Sequence, residues 1–233
     1  MVRVNDLSIY ERESASWWDP RSAAFRSLHS VNAFRVELLR EWIGDDLSGR
    51  TVADLGCGGG LLAEPLLRAG GRVIGVDQSL GSLRAATERL GARFVRGDLL
   101  RSPLADGCAD VVLLADVLEH VQPVEAALAE AARVLRPGGF LFVSTINRTA
   151  RAKLMAVDLA EALRLIPRGT HDHRMFVPPE LLRDEASALG LRLSRIQGEA
   201  VDVARTALRW AIVLRRSHDL SVGYSALFAK EER

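Results

Sequence analysis

The stretch VADLGCGGGLLAEPLLRAG, which runs from Val52 to Gly70, places an aspartate two residues before a run of glycines. Glycines such as Gly56 and Gly58 let a ligand approach the backbone closely, because they have no Cβ. The carboxylate of Asp54 repels a pyrophosphate and attracts a cation by Coulomb interaction. The loop therefore favours a ligand that carries a positively charged group and no phosphate.

A second acid, Asp77, follows 21 residues after Gly56. That spacing is typical of a carboxylate that binds the hydroxyl groups of a ribose. A dinucleotide-dependent dehydrogenase is one interpretation, but Leu61 occupies the place of the third glycine in the G-x-G-x-x-G pattern. S-adenosylmethionine carries a ribose, an adenine and an ammonium group without phosphate. We therefore interpret the loop as an S-adenosylmethionine site, with a dehydrogenase and a structural glycine turn as the alternatives.

Further side chains with possible catalytic roles follow in two places. Asp116, Glu119 and His120 form the sequence D-x-x-E-H, and such a group can bind a hard divalent cation while leaving positions open for water or substrate oxygens. Alternatively, Glu119 and His120 cap the next helix, or His120 acts alone as a general base. His171 and Asp172 lie in a predicted loop. They either orient a base and close the pocket or form local hydrogen bonds only.

Alternating strands and helices must position these residues. The predicted strands lie at 50–55, 72–77, 92–98, 109–116 and 140–147, with helical patterns between them. This alternation predicts an α/β fold with a doubly wound, Rossmann-like parallel sheet. Ligands bind such sheets at the carboxyl ends of the strands. Three of the predicted strands end in an acid there: Asp77, Asp98 and Asp116.

The alternation stops after residue 147. Residues 148–166 and 203–216 are predicted as helices, and 191–198 and 221–230 as strands that pair antiparallel at the sheet edge. We therefore expect a mostly parallel sheet with an antiparallel edge strand.

The same pattern predicts the domain organisation. An N-terminal helical arm or cap is expected over residues 1–45. A methyltransferase domain is expected over residues 46–233, with a helical insertion at about 148–190.

Composition narrows the functional class. The 233 residues carry a formal net charge of +1, so no strong field attracts nucleic acid. Cys57 and Cys108 do not form a C-x-x-C pair, which indicates a reducing compartment. No apolar run reaches the length of a membrane-spanning helix. We expect a cytoplasmic protein.

Taken together, the motifs resemble those of the ubiquinone biosynthesis O-methyltransferase family of class I methyltransferases. The resemblance runs from about Trp17 to Leu191. It is carried by WWDP, LHSVNAFR, DLGCGGGLLAE, VIGVDQS, DVLEHV, VLRPGGFLFVSTINR, KLMAVDLAEALRLIPRGTHD and FVPPEL. It implies methyl transfer from S-adenosylmethionine to a phenolic hydroxyl of a catechol-like ring with a polyprenyl tail.

The resemblance also implies roles for individual residues. Magnesium would be held by Asp116, Glu119 and His120. The cofactor contacts would be Arg35, Gly56, Asp77 and Ala115, with Asp98 near the adenine.

The chain departs from the family pattern around the expected acceptor pocket. Ala115-Asp116 stands where the family often has Met-Glu, and His173 where it often has Trp. The acceptor can therefore also be another small phenol or a natural product. A membrane-associated protein that binds the cofactor without turnover is the third hypothesis.

Residues 148–168 mix basic and apolar side chains. A basic amphipathic stretch can lie on an anionic membrane surface, and a prenylated acceptor would give it a reason to do so. The alternative is a lid helix that packs on the sheet. The first interpretation predicts peripheral association with the inner face of the membrane.

Overall fold

Eight strands form one sheet in the computed structural model, which describes residues 5–232. Their order is β3-β2-β1-β4-β5-β8-β6-β7. The strands are β1 (Thr51–Leu55), β2 (Arg72–Asp77), β3 (Arg93–Arg96), β4 (Ala109–Ala115), β5 (Leu135–Ile146), β6 (Leu191–Val201), β7 (Leu214–Ser217) and β8 (Gly223–Lys230).

Helices cover both faces of the sheet. They are α1 (Ile9–Arg12), α2 (Arg26–Ile43), α3 (Ala63–Arg68), α4 (Leu80–Leu90), α5 (Val124–Val134), α6 (Ala150–Ala152), α7 (Ala160–Ala162), α8 (Pro179–Ala188) and α9 (Val203–Arg209). Side chains of β1 alternate between the faces, as the pleat requires. Val52 packs with Leu38 of α2 on one face, and Ala53 belongs to the core with Leu128 of α5 on the other.

The parallel half confirms the prediction. Strands β3, β2, β1, β4 and β5 pair in parallel, so their carboxyl ends lie along one edge of the sheet. The glycine loop follows β1, Asp77 ends β2, and Asp116 follows β4. The motifs that are separate in sequence are therefore neighbours at this edge.

The antiparallel half is larger than expected. β8 lies between β5 and β6 and pairs antiparallel with both, and β7 forms the edge. The predicted helix over 203–216 is wrong in its second half. α9 ends at Trp210, whose φ of 50° is left-handed, and the chain then extends into β7. The local pattern missed this strand, because pairing with β6 decides it.

The predicted helix over 148–166 is helical between residues 150 and 162. A π-helix (Lys153–Leu159) separates α6 from α7. Among residues 5–232, no helix combines the length and the apolar character needed to cross a membrane. The division at residue 45 stays a prediction, although α2 packs into the same core as β1.

Candidate functional site

The glycine loop after β1 is held in a conformation that requires glycine. Gly56 and Gly58 have φ angles of 82° and 49°. A Cβ on Gly58 would lie 2.6 Å from the Trp17 ring, and one on Gly56 would lie 2.5 Å from Val117. Trp17 itself is buried and stacks on Phe25, with ring centroids 3.9 Å apart. The segment that precedes α2, called the arm below, is thus packed directly onto the loop.

Asp77 fixes the same loop. Its Oδ2 accepts a hydrogen bond from the Gly58 amide at 2.8 Å, and its Oδ1 accepts one from the Ser79 amide at 2.8 Å. Burial raises the pKa of Asp77, although these amides oppose the shift. Since a carboxylate offers about four lone-pair sites, capacity remains for two ribose hydroxyls.

Asp54 has unused hydrogen-bonding capacity. It is 3% exposed, and its Oδ2 has no hydrogen-bond partner within residues 5–232. Burial, and then the neighbouring Asp77, raises the pKa of Asp54 to about 7. A buried acceptor without a partner costs free energy, so a cationic donor at this place would be stabilising.

A cavity of about 440 Å³ lies over the loop. Asp54, Gly56, Gly58, Asp77 and Ala115 line it, as the predicted cofactor roles require. The arm closes it from above with Leu7, Tyr10 and Trp17.

Two predicted cofactor residues lie outside this wall. Asp98 is exposed and its Oδ1 accepts a hydrogen bond from the Leu100 amide, while its neighbours Gly97 and Leu99 line the cavity. Arg35 is 3% exposed and lines a second cavity instead. Their contacts with the cofactor stay predictions.

The second cavity has a volume of about 390 Å³ and a mostly apolar lining. Its outer wall comes from α9 and from the stretch 150–163, called the helical segment below, which contributes Met155, Leu159 and Leu163. Both cavities share Tyr10, Leu28, Asp116 and His120 as lining residues. A ligand in one cavity can therefore meet a ligand in the other at this wall.

Polar groups converge at the shared wall. Arg35 donates from Nε to Ser144 Oγ at 2.8 Å and forms an ion pair with Asp116. Glu119 is fully buried, and its Oε2 accepts a hydrogen bond from Thr145 Oγ1 at 2.7 Å. Burial and the nearby Asp116 raise the pKa of Glu119 to about 8. The shared wall thus holds two acids, Asp116 and Glu119, beside one cation, Arg35.

Glu119, His120 and His171 form a group of possible metal ligands. One ligand atom from each lies within 4.8 Å of the other two. Glu119 Oε1 and His171 Nδ1 are buried without a hydrogen-bond partner in the described chain. Burial lowers the pKa of His120 to about 3 and that of His171 to about 4, so both rings are neutral at pH 7. Neutral imidazoles and an unsatisfied carboxylate oxygen fit a divalent cation.

This grouping differs from the predicted ligand set in one member. His171, predicted as a base, joins Glu119 and His120, with its ring stacked on His120 at 5.2 Å. Asp116 instead pairs with Arg35. No local pattern predicts this arrangement, since His171 is 51 positions beyond His120.

Two further residues at the site were missed by sequence reasoning. Asn5 Oδ1 lies 2.7 Å from His120 Nδ1, and Asn5 Nδ2 donates to the His120 carbonyl at 3.1 Å. An amide oxygen only accepts, so His120 Nδ1 carries the proton and Nε2 keeps its lone pair. Glu199 lies in β6 beyond the strand that the sequence predicted. Neither residue belongs to a local motif.

Comparison with known proteins adds an independent line of evidence. Residues 53–143 match the family described as Methyltransferase domain. The chain is 36% identical to the ubiquinone biosynthesis O-methyltransferase of Rhizobium johnstonii, over 97% of this chain and 95% of that protein. It is 34% identical to the enzyme of that name from Nitrosococcus oceani, over 99% of this chain and 97% of that protein.

Solved structures agree on the fold. Magnesium protoporphyrin IX methyltransferase from Synechocystis PCC 6803, solved with bound S-adenosylhomocysteine, superposes with a TM-score of 0.67. It is 20% identical, and the match covers 97% of this chain and 95% of that chain. A methyltransferase from Thermotoga maritima gives the same TM-score at 18% identity, over 96% of this chain and 99% of that chain. At these identities the likeness shows the fold alone.

Proposed function

Because the chain belongs to the ubiquinone biosynthesis O-methyltransferase family, we propose that it transfers the methyl group of S-adenosylmethionine to a phenolic hydroxyl of a catechol-like quinone precursor. The observation that carries this proposal is the pair of cavities that meet at Asp116 and His120. One has acids and a glycine loop in its wall, and the other is apolar with a polar inner end.

The first cavity suits the cofactor. Asp77 would accept hydrogen bonds from the ribose hydroxyls, because it already lies against the Gly58 amide with lone pairs to spare. Asp54 Oδ2 would accept a hydrogen bond from the ammonium group. The ammonium would lower the pKa of Asp54 and keep it ionised. Ala115, beside Asp116, also lines this first cavity.

The reaction is an in-line displacement at the methyl carbon. The acceptor oxygen forms the new O–C bond, the S–C bond breaks, S-adenosylhomocysteine leaves, and the phenolic proton is lost. Holding the two reactants in line across the shared wall supplies much of the rate. Tyr10 and Trp17 of the arm cover the cofactor side and limit access of water.

The reaction also requires that the phenolic proton be removed. A phenol has a pKa of about 10, far above the pKa of about 3 for His120. His120 Nε2 can therefore take the proton only as the O–C bond forms. A divalent cation, when bound by Glu119 and His120 together with Asp116 or His171, would stabilise the phenolate before transfer. The unpaired Glu119 Oε1 and His171 Nδ1 support this part of the proposal.

Membrane association is the second part of the proposal. Leu154, Leu159 and Leu163 are each between 41% and 49% exposed on the helical segment. Leu208 and Trp210, at and beyond the end of α9, are 86% and 51% exposed. Residues of both elements line the acceptor cavity, so its outer wall carries an apolar surface. A prenylated acceptor could pass from an anionic bilayer into the cavity there, with the enzyme held peripherally on the inner face.

The decisive experiment is an acceptor panel. Catechols with and without a prenyl tail are incubated with S-adenosylmethionine, and formation of S-adenosylhomocysteine is measured. We expect turnover of catechols, with a lower KM for prenylated ones, since apolar burial contributes about 0.8 kcal/mol per CH₂. Equal KM values would favour a small soluble phenol as the acceptor. No turnover on any phenol would refute O-methylation and favour binding without catalysis.

A further inference from the structure

Glu199 is a carboxylate in the wall of the apolar cavity, and the reaction described above does not use it. It lies in β6 opposite Gly223 of β8 and is 4% exposed. Both residues line the second cavity. Carboxylates are rarely this buried without a partner of opposite charge or a ligand.

The two carboxylate oxygens of Glu199 differ in their hydrogen bonds. Oε1 accepts hydrogen bonds from Ser225 Oγ at 2.5 Å and from Ser144 Oγ at 3.3 Å. Oε2 has no hydrogen-bond partner within residues 5–232. A Cβ on Gly223 would lie 3.6 Å from Oε2, so the glycine leaves the space beside this oxygen open. Oε1 thus anchors the side chain, while Oε2 is available to a ligand.

The nearest cation does not satisfy Oε2. Arg35 reaches Glu199 only through Ser144, which accepts from Arg35 Nε and lies against Glu199 Oε1. The other guanidinium contacts go to Asp116 and Asn32. Arg35 thus pairs directly with Asp116 and reaches the buried Glu199 only through Ser144. Because Glu199 lines the cavity, a ligand that donates to Oε2 would add a charge-assisted hydrogen bond there.

We propose that Glu199 Oε2 accepts a hydrogen bond from a further hydroxyl of the aromatic acceptor, outside the catechol pair and remote from the oxygen that is methylated, and thereby selects rings that carry it. This inference rests on the proposed O-methyltransferase function. Asp116, His120 and Glu199 line the same cavity, so a ring whose reacting oxygen is at Asp116 and His120 can present another edge to Glu199. An ether at that edge offers no hydrogen and leaves Oε2 unpaired.

The test compares two rings that differ at one position, where one carries a hydroxyl and the other a methyl ether. Binding of benzene-1,2,4-triol and of 4-methoxycatechol to the protein loaded with S-adenosylhomocysteine is measured by calorimetry under anaerobic conditions. Wild-type protein should bind the triol at least about tenfold more tightly, the discrimination expected when a buried polar group is left unpaired. A ratio below about twofold would overturn the inference without any variant.

Substitution separates recognition from a structural role. Glu199→Gln keeps the shape and an acceptor for Ser225, but it can present an NH₂ group to the ligand. The triol-to-ether ratio should fall by about tenfold in this variant. Glu125→Gln, the same change at an exposed site on α5, should leave the ratio unchanged. Equal weakening of both rings by Glu199→Gln would mean that Glu199 only supports the strand pairing.

Failure of the inference is distinguishable from failure of the proposed function. If wild-type protein methylates catechols while Glu199→Gln leaves the ratio intact, only the role of Glu199 is refuted. If neither ring binds and no S-adenosylhomocysteine forms from any catechol, both are refuted.

Discussion

The two cavities that meet at Asp116 and His120 are built in different ways. The cofactor cavity draws its polar groups from residues adjacent to the ends of parallel strands, within the short motifs after β1 and β2. The acceptor cavity takes its wall from α2, the helical segment, β6, α9 and β8, which are far apart in sequence. The cavity proposed for the cofactor is thus built from local motifs, whereas the cavity proposed for the acceptor depends on long-range assembly.

Their electrostatics differ as well. In the cofactor cavity, Asp54 and Asp77 are acids in a wall suited to a cationic ligand. In the acceptor cavity, the acids are balanced in part by Arg35, and the histidines are neutral. Changes in one cavity should therefore leave binding in the other nearly intact, and the predictions below test that independence.

The largest effect is expected at the shared wall. Glu119→Gln and His120→Ala should each lower turnover by about 100-fold to 10,000-fold, since they remove a cation ligand or the proton acceptor. Affinity for S-adenosylhomocysteine should stay within about twofold, because neither change alters the glycine loop. Steady-state kinetics and calorimetry measure the two quantities, with Glu125→Gln as the matched control.

The same experiment tests the cation. EDTA should abolish turnover and added magnesium should restore it, with zinc compared because two of the ligands are imidazoles. Full turnover in chelator would refute the cation role and leave His120 or His171 as a simple base.

The next largest effect concerns the affinity of the cofactor cavity for S-adenosylmethionine. Asp77→Asn should weaken S-adenosylmethionine binding by about tenfold or more, because charge-assisted hydrogen bonds contribute about 1.5–3 kcal/mol. Asp98→Asn, at an exposed carboxylate, should cost about threefold or less. Calorimetry on both variants checks this ranking. The opposite ranking would assign the ribose to Asp98.

A pH effect of similar or smaller size follows from Asp54. In the protein without cofactor, its pKa is about 7, so it loses its charge as the pH falls through that value. Binding of the ammonium group requires the carboxylate, and affinity for S-adenosylhomocysteine should drop by about tenfold from roughly pH 7.5 to roughly pH 5.5. Asp54→Asn should bind weakly with a flat pH profile. A wild-type profile as flat as that of the variant would contradict the role of Asp54.

The smallest effect concerns binding of the outer wall of the acceptor cavity to a membrane surface. Arg151 is paired with Asp219, and Lys153 with Asp158, so their contribution falls below the about 1 kcal/mol of a free basic residue. Apolar contact should then matter more. Leu154→Ser with Leu159→Ser should reduce co-sedimentation with anionic vesicles several-fold, by about 0.5 kcal/mol for each leucine, because each side chain is only about half exposed.

The control and the refutation use the same vesicles. Binding should weaken at high salt and be unchanged by Val95→Ser, at an apolar side chain exposed on β3. If wild-type protein does not bind anionic vesicles at low salt, the helical segment is only a lid.

Sequence reasoning was most accurate where the chemistry is local. The parallel strands were predicted because each is a short apolar run that ends beside a polar group, and a parallel sheet brings such ends to one edge. Asp54 and Asp77 were predicted as site residues for the same reason, and both line the first cavity. Prediction failed in the segment after Trp210, where pairing of β7 with β6 overrides a helical pattern.

Tertiary structure alone decided the inner end of the acceptor cavity. Asn5 meets His120 across 115 positions, and Arg35 pairs with Asp116 across 81. No local periodicity encodes such contacts, because they arise when α2, the arm and the antiparallel strands close over the sheet edge. The sequence by itself therefore determined the cofactor loop and the sheet that presents it. Packing between distant segments determined which acids are paired, which are left for a ligand, and what the second cavity can hold.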